Sequence, residues 1–400
     1  MTIDENAAET WRHATSSDAA PVRICVIGSG WMFTSGISYY TCRLANALAE
    51  RQQVSVVLMR RLIPRRLYPG RARVGTRVNN LAYAPQVPVY NGVDWNSPWS
   101  LLRAAQFLRR QRPEAVILQW WTGAVLPTYL ILVVVAKRIG ARIVVEFHET
   151  QDTGESRLPL ARLVFRALGK AIVRRCDGAV VHSDFDRQEV LRLLPLEGKP
   201  MVIAPHAPYD HHVATQPKVR HNGNSALRLL FFGTIRPYKG LEHLVQALDL
   251  LDHTAARSLH LTIVGETWEG WTLPLELVQR SRHRDRITVV NRYVHDDEVA
   301  QYFADADAVA LPYTRSSASG PLHIAMAAGL PVVLTDVGGL RAAAEGYEGV
   351  LWVPPANPQA LAKALMRLPE LVGHRYQDPR SWDDTVKAFG SLWEAVSLQS

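Results

Sequence analysis

Two kinds of apolar pattern alternate along this chain. Continuous apolar runs, such as "VRICVIGSG", "VSVVLM", "AVILQWW", "RIVVEFHE" and "GAVVHS", predict strands buried on both faces. Between them lie segments with apolar residues at helical spacing. These are "ISYYTCRLANALAERQQ" with Leu44 and Leu48, "AVLPTYLILVVVAKRIG" closed by Gly140, "LARLVFRALGKAIVRRC", and "FDRQEVLRLL", which Ser183 and Asp184 cap. A strand that regularly gives way to a helix implies a parallel sheet covered on both sides.

The polar, turn-rich "APYDHHVATQPKVRHNGNSA" interrupts the alternation, which restarts with "LRLLFFG", "LEHLVQALDLL", "HLTIVG", "ITVVN", "AVALPY", "PLHIAMAAG", "PVVLTD" and "GVLWVP". The expected organisation is a disordered tail over 1–21, a doubly wound Rossmann-like domain over 22–205, and a linker over 206–226. A second such domain follows over 227–380, then a closing helix over 381–400 that packs back across the junction. Ser381 caps that helix, and Trp382, Val386, Phe389 and Trp393 are expected to line one face of it. In this α/β architecture the carboxyl ends of both parallel sheets face a central cleft where ligands bind.

Length and composition agree with that division. Four hundred residues exceed what one core usually organises, and the longest apolar run, Ala124–Ala136, is too short for a bilayer, which needs about 20 residues. Cys25, Cys42 and Cys176 form neither a CxxC pair nor a Cys/His cluster, which points to a reducing cytoplasm and away from structural zinc. Residues 1–210 carry 27 Lys and Arg against 17 Asp and Glu, and residues 211–400 carry 18 against 20, so the net charge of +8 belongs to the first half. Much of it sits in "RRLIPRRLYPGRARVGTR", residues 60–77, which reads as a solvated loop or as a contact with an anionic membrane or acceptor. Nucleic acid is disfavoured as a partner, because proline interrupts the stretch and no reading helix, zinc module or aromatic RNA-binding strand accompanies it.

The unusual residues fall in loops after strands. "FFGTIRPYKGLEHL" sets Arg236 and Lys239 in a turn before a helix, where cations, free amides and the helix dipole together suit an anion. "SGPLHIAMAAG" begins a second helix with Ser319 and Gly320 where amides are open, and Leu322, Ile324, Ala325 and Ala328 are expected on its buried side. Together they suggest a diphosphate cradle. In "GSGWMFTSGISYY", Gly28 and Gly30 fit a dinucleotide fingerprint but Phe33 stands in place of its third glycine, and "VSVVLMRR" ends in arginines where a dehydrogenase needs an acid. "VVEFHETQDTGE" places Glu146, His148, Glu149, Asp152 and Glu155 at a strand end on the cleft side; His182 and His206 also end strands and rank behind His148. There is no HExxH and no GxSxG elbow.

The stretch from Gly233 to Gly240, "LTIVG", "FADADAVALPY", "GPLHIAMAAGLPVVLTDVGG" and the late "SWDD" helix resemble the second domain of family-four retaining glycosyltransferases of the GT-B fold. The resemblance covers nearly all of residues 22–396 and is most specific in the second half. It implies transfer of a sugar from a nucleotide-diphosphate sugar with retained configuration, with no metal and no cofactor other than that donor. Lys239 matches the phosphate-binding lysine; Thr234 stands where the family's arginine follows Gly233, and Arg236 substitutes for it. His148 matches the histidine at the donor sugar. Gly36, Gly265, Glu266, Ser319, Gly320, Pro321 and Leu322 fall around the donor. The family's two glutamates are replaced by Ser316 and Ile324, which leaves phosphate binding intact and places the difference at sugar and ribose recognition. Two rival readings are a nucleotide-sugar epimerase of the same fold and a catalytically degenerate nucleotide-binding subunit. The expected location is the cytoplasm, with a peripheral membrane contact through residues 60–77.

Overall fold

The computed structural model describes residues 21–33, 36–62, 81–149, 159–209, 226–268, 270–316 and 319–398, without the side chains of 159–162, 296 and 297. All but the last residue of the expected 1–21 tail, most of the linker and most of the basic segment lie outside these residues. The first sheet contains β1 (Arg23–Ser29), β2 (Gln53–Arg61), β3 (Val89–Asp94), β4 (Ala115–Trp120), β5 (Arg142–Phe147), β6 (Gly178–Val181) and β7 (Met201–Ile203). Its order is β3-β2-β1-β4-β5-β6-β7, every pair is parallel, and α1 (Gly36–Leu48), α2 (Pro98–Gln111), α3 (Leu126–Arg138), α4 (Pro159–Arg175) and α5 (Asp184–Leu193) connect its strands.

The second sheet contains β8 (Leu227–Phe232), β9 (Leu259–Val264), β10 (Ile287–Val290), β11 (Ala308–Leu311), β12 (Val332–Thr335) and β13 (Val350–Val353), parallel in the order β10-β9-β8-β11-β12-β13. Its helices are α6 (Leu241–Asp249), α7 (His253–Arg257), α8 (Leu273–Arg280), α9 (Asp296–Asp305), α10 (Gly320–Ala327), α11 (Leu340–Ala343) and α12 (Pro358–Arg367). The strand order reverses between β1 and β4 and between β8 and β11. Those two switch points fix where ligands sit in doubly wound sheets.

β1 and β4 are apolar and buried on both faces because helices cover both sides of the sheet. β3 and α2 escape the pattern of apolar runs. β3, "VYNGVD", is an edge strand of mixed polarity whose pairing with β2 shifts register, and α2 buries only the narrow stripe Ser100, Ala104, Ala105 and Leu108. Caps start the helices at polar residues: Ser183 accepts from Asp186 N at 3.1 Å and Asn357 from Ala360 N at 2.9 Å.

The last helix, α13 (Trp382–Leu398), follows the second domain but packs on β6, β7 and α1 of the first. Its buried face is Thr385, Phe389, Leu392 and Val396; Trp382 and Val386 flank that face, and Trp393 lies only half-buried. The expected face is thus rotated by about one residue, because Gly178 leaves room on β6 against which Leu392 and Val396 close. Thr385 Oγ1 adds a hydrogen bond to Pro205 O at 2.9 Å. One apolar cluster runs from α1 through Tyr209 to α10 and α13, so the two sheets share an apolar seam.

Candidate active site

The loops after β8, β9 and β11 form the second-domain wall. Gly265, at φ +151°, brings its backbone against Gly233 so closely that a Cβ would stand 1.9 Å from Gly233 O; only glycine fits there. After Gly233 and the half-buried Thr234, Arg236 is extended and Pro237–Lys239 forms one 3-10 turn that aims Lys239 inward. The Lys239 side chain is buried, with Nζ 3.9 Å from the centroid of Tyr313 and 5.2 Å from that of Tyr238. Burial lowers its pKa, and Tyr238 and Glu149 draw it partly back. No carboxylate lies within ion-pair distance of it among the described residues. The Arg236 guanidinium lies 5.3 Å from the Tyr238 ring and 5.6 Å from the Trp268 ring, and Glu266 Oε2 accepts from Trp268 Nε1 at 2.8 Å.

Helix α10 supplies the facing edge. Ser319 caps it, accepting from Leu322 N at 3.3 Å, and its hydroxyl donates to Tyr313 Oη at 3.2 Å, which ties the helix start to the ring beneath Lys239. Leu322 is fully buried and its N–H is taken by the cap, while Pro321 has no N–H and lies 3.7 Å from where a Gly233 Cβ would be. The open first-turn amide is therefore that of Gly320. Of the residues expected to be buried on α10, Ala328 is only half-buried, and His323 and Met326 complete the buried set. Ser316 lies in the preceding loop, its carbonyl accepting from Gly339 N at 3.1 Å, and Ile324 belongs to the core.

From the first domain, Gly36 opens α1 toward the same place. A Cβ on Gly36 would meet Tyr209 Oη at 2.7 Å, and one on Gly320 would meet Tyr209 Cε2 at 3.2 Å. Two helix N-termini from different domains thus abut one buried aromatic ring, and Tyr209 was not apparent from the sequence as a site residue.

Beside this ring lies a group of four histidines that the sequence did not bring together. His206 stacks on His323 of α10 with centroids 4.4 Å apart, and His182 lies 4.6 Å from His148. Tyr40 contacts His148, His182 and His206. The ring nitrogens define a chain: His182 Nδ1 is 2.9 Å from Ala204 O, His182 Nε2 is 3.1 Å from His148 Nδ1, and His148 Nε2 is 3.4 Å from Glu146 Oε2. Since a carbonyl only accepts, His182 holds its proton on Nδ1, and its Nε2 accepts a hydrogen bond from His148 Nδ1–H. Glu146 is fully buried and accepts from Gln119 Nε2 at 3.0 Å. Burial alone would raise its pKa; His148, His182 and Gln119 outweigh that and hold it low. Burial, with His148 adding to it, brings His182 down to about 4, and burial likewise lowers His206 and His323.

Glu146, His148 and His182 offer donor atoms within 4.8 Å of one another, a set whose chemistry suits a divalent transition metal as well as a shared proton. A cavity of about 350 Å³ adjoins the histidines between the domains, lined by His182, Ser183, His206, His323 and Arg380 among others. Asp152 and Glu155 lie outside the described residues. Of the two strand-end carboxylates of the epimerase reading that are described, Glu146 is engaged by Gln119 and the histidines, and Glu149 is exposed and acts electrostatically on Lys239.

Comparison with known proteins bears on both domains. Residues 35–207 match the family model described as glycosyl transferase 4-like domain, and residues 226–370 match that described as glycosyl transferases group 1. A D-inositol 3-phosphate glycosyltransferase of Kineococcus radiotolerans is 30% identical over 225 residues, 51% of this chain and 52% of that protein. A GDP-mannose:glycolipid 4-beta-D-mannosyltransferase of Xanthomonas campestris pv. campestris is 36% identical over 107 residues, 26% of this chain and 29% of that protein. The chain spans about half the length, or less, of the curated relatives it matches. Among solved structures, sucrose-phosphate synthase from Thermosynechococcus elongatus superposes with a TM-score of 0.63 at 18% identity, covering 94% of this chain and 97% of that one. Anabaena HepE in complex with UDP-glucose gives 0.60 at 14% identity, covering 94% and 98%. These likenesses establish the GT-B fold.

Proposed function

With both halves of the chain belonging to glycosyltransferase families, we propose that it moves a sugar from a nucleotide-diphosphate donor to an acceptor hydroxyl, with retention at the anomeric carbon and without a metal. The carrying observation is Lys239: a buried ammonium with no carboxylate in ion-pair reach among the described residues, held over Tyr313 beside the start of α10. An uncompensated buried cation is costly unless a ligand supplies the anion. A diphosphate between Lys239, Arg236 and the Gly320 amide meets that need, and the same groups stabilise the charge that grows on it as the anomeric C–O bond breaks.

The acceptor oxygen then bonds to the anomeric carbon from the face the phosphate leaves, and its proton passes to the departing phosphate oxygen. No protein nucleophile takes part. His148 contacts the donor sugar, and its orientation is fixed by Glu146 and His182. HepE, solved with UDP-glucose on a similar fold, supports a nucleotide-sugar donor; Ser316 and Ile324, in place of acids, favour a sugar and ribose recognised through hydroxyls and apolar contact.

The test is a donor panel with acceptor mixtures, read by mass spectrometry in the presence of EDTA, with the product's anomeric configuration read by NMR. One nucleotide sugar should be consumed with retention and without loss of rate in the chelator. Inverted product, full dependence on added metal, or epimerised donor without transfer would each overturn this reading.

A further inference from the structure

Helices α2, α3 and α4 pack side by side on the face of the first sheet opposite α1 and α13. Not one of the three contains an Asp or Glu. Arg103, Arg109, Arg110, Arg138, Arg166 and Arg174 are exposed on them, and none has an ion-pair partner among the described residues. Large apolar side chains stand in the same layer: Trp99 is 73% exposed, Leu163 66%, Leu102 50%, Val164 47% and Ile131 46%. Water is a poor solvent for that combination, whereas an anionic lipid surface takes both parts, the arginines at phosphates and the tryptophan and leucines at the acyl boundary.

We propose that this helix layer docks the protein on an anionic phospholipid bilayer. Charge complementarity selects the occupant. Each basic side chain near such a surface is worth about a fivefold gain in binding, and no carboxylate on the three helices opposes it. Exposed aliphatic side chains argue against nucleic acid, whose backbone offers them nothing. The surface differs from the basic segment over 60–77, where Arg60 is already committed to the buried Asp94. No described helix is long and apolar enough to cross a membrane, so the contact is peripheral.

The experiment is co-sedimentation of the full chain with vesicles of phosphatidylcholine alone or mixed with phosphatidylglycerol, with duplex DNA as competitor. Wild type should bind the mixed vesicles, weaken as salt rises, and bind neutral vesicles poorly. Trp99→Ser with Leu102→Ser, and separately Arg109→Glu with Arg110→Glu, should each lower partitioning by at least about tenfold while nucleoside-diphosphate binding, read by calorimetry, is unchanged. Equal partitioning of both variants and wild type, equal binding to neutral vesicles, or complete displacement by DNA would overturn the proposal. Because nucleotide binding is read separately, docking and donor recognition fail independently.

Discussion

The two walls of the cleft handle charge in opposite ways. On the second-domain wall Lys239 is buried with aromatic rings for neighbours and, among the described residues, no carboxylate in ion-pair reach. On the first-domain wall Glu146 is buried more deeply still, yet His148, His182 and Gln119 surround it. A wall with uncompensated charge is built to receive a ligand, and one whose charge is already compensated is built to hold a side chain still. On the proposed function the first governs binding and departure of the diphosphate, and the second the placement of His148.

Substitutions can break that contrast. Lys239→Ala carries the largest expected effect, about 10²- to 10³-fold in kcat, because it removes a preorganised charge from the leaving group; steady-state assay of the folded variant checks it. Glu146→Gln should lower kcat by about 10- to 100-fold, as losing an orienting partner does, while leaving the affinity for nucleoside diphosphate within error of wild type. Equal losses of affinity in both variants would erase the distinction between the walls.

Acid titration gives the most local effect, one read on stability and not on turnover. His182 goes from its ordinary 6.5 to about 4 in the fold, so the folded state favours neutral imidazole. The contribution is complete above pH 6.5 and is lost as pH falls toward 4, amounting to about 3 kcal/mol. Asp186, raised to about 6 by burial, works in the opposite sense over the same range. The informative quantity is hence the difference between wild type and His182→Asn in unfolding free energy across that window. A variant that loses stability in parallel with wild type would remove His182 from the account.

Much of the fold was legible because strands buried on both faces leave continuous apolar runs and their loops carry glycines, as around Gly233 and Gly265. β3 was not legible, since an edge strand such as "VYNGVD" needs no apolar run. The face of α13 was read about one residue out, because Trp382 and Phe389 suit two neighbouring stripes and only the room beside Gly178 chooses between them. In the cleft, Lys239, Arg236 and Gly320 could be named from strand-turn-helix grammar, which is local. The pairing of His206 with His323 and the approach of Gly36 and Gly320 to Tyr209 join residues of two domains, and no local pattern encodes them. The signal that was present, His182 directly after β6 and His206 three residues after β7, pointed to the right end of the sheet without naming their partner.

On the proposed function the second-domain wall is an anion site that needs no metal. Calorimetric titration of UDP, GDP and ADP into the wild-type protein and into Lys239→Ala, in EDTA, tests it directly. Saturable binding of at least one nucleoside diphosphate to wild type, weakened about tenfold or more in the variant, is the predicted result. Absence of binding by every nucleotide, or equal affinity in the two proteins, would contradict it.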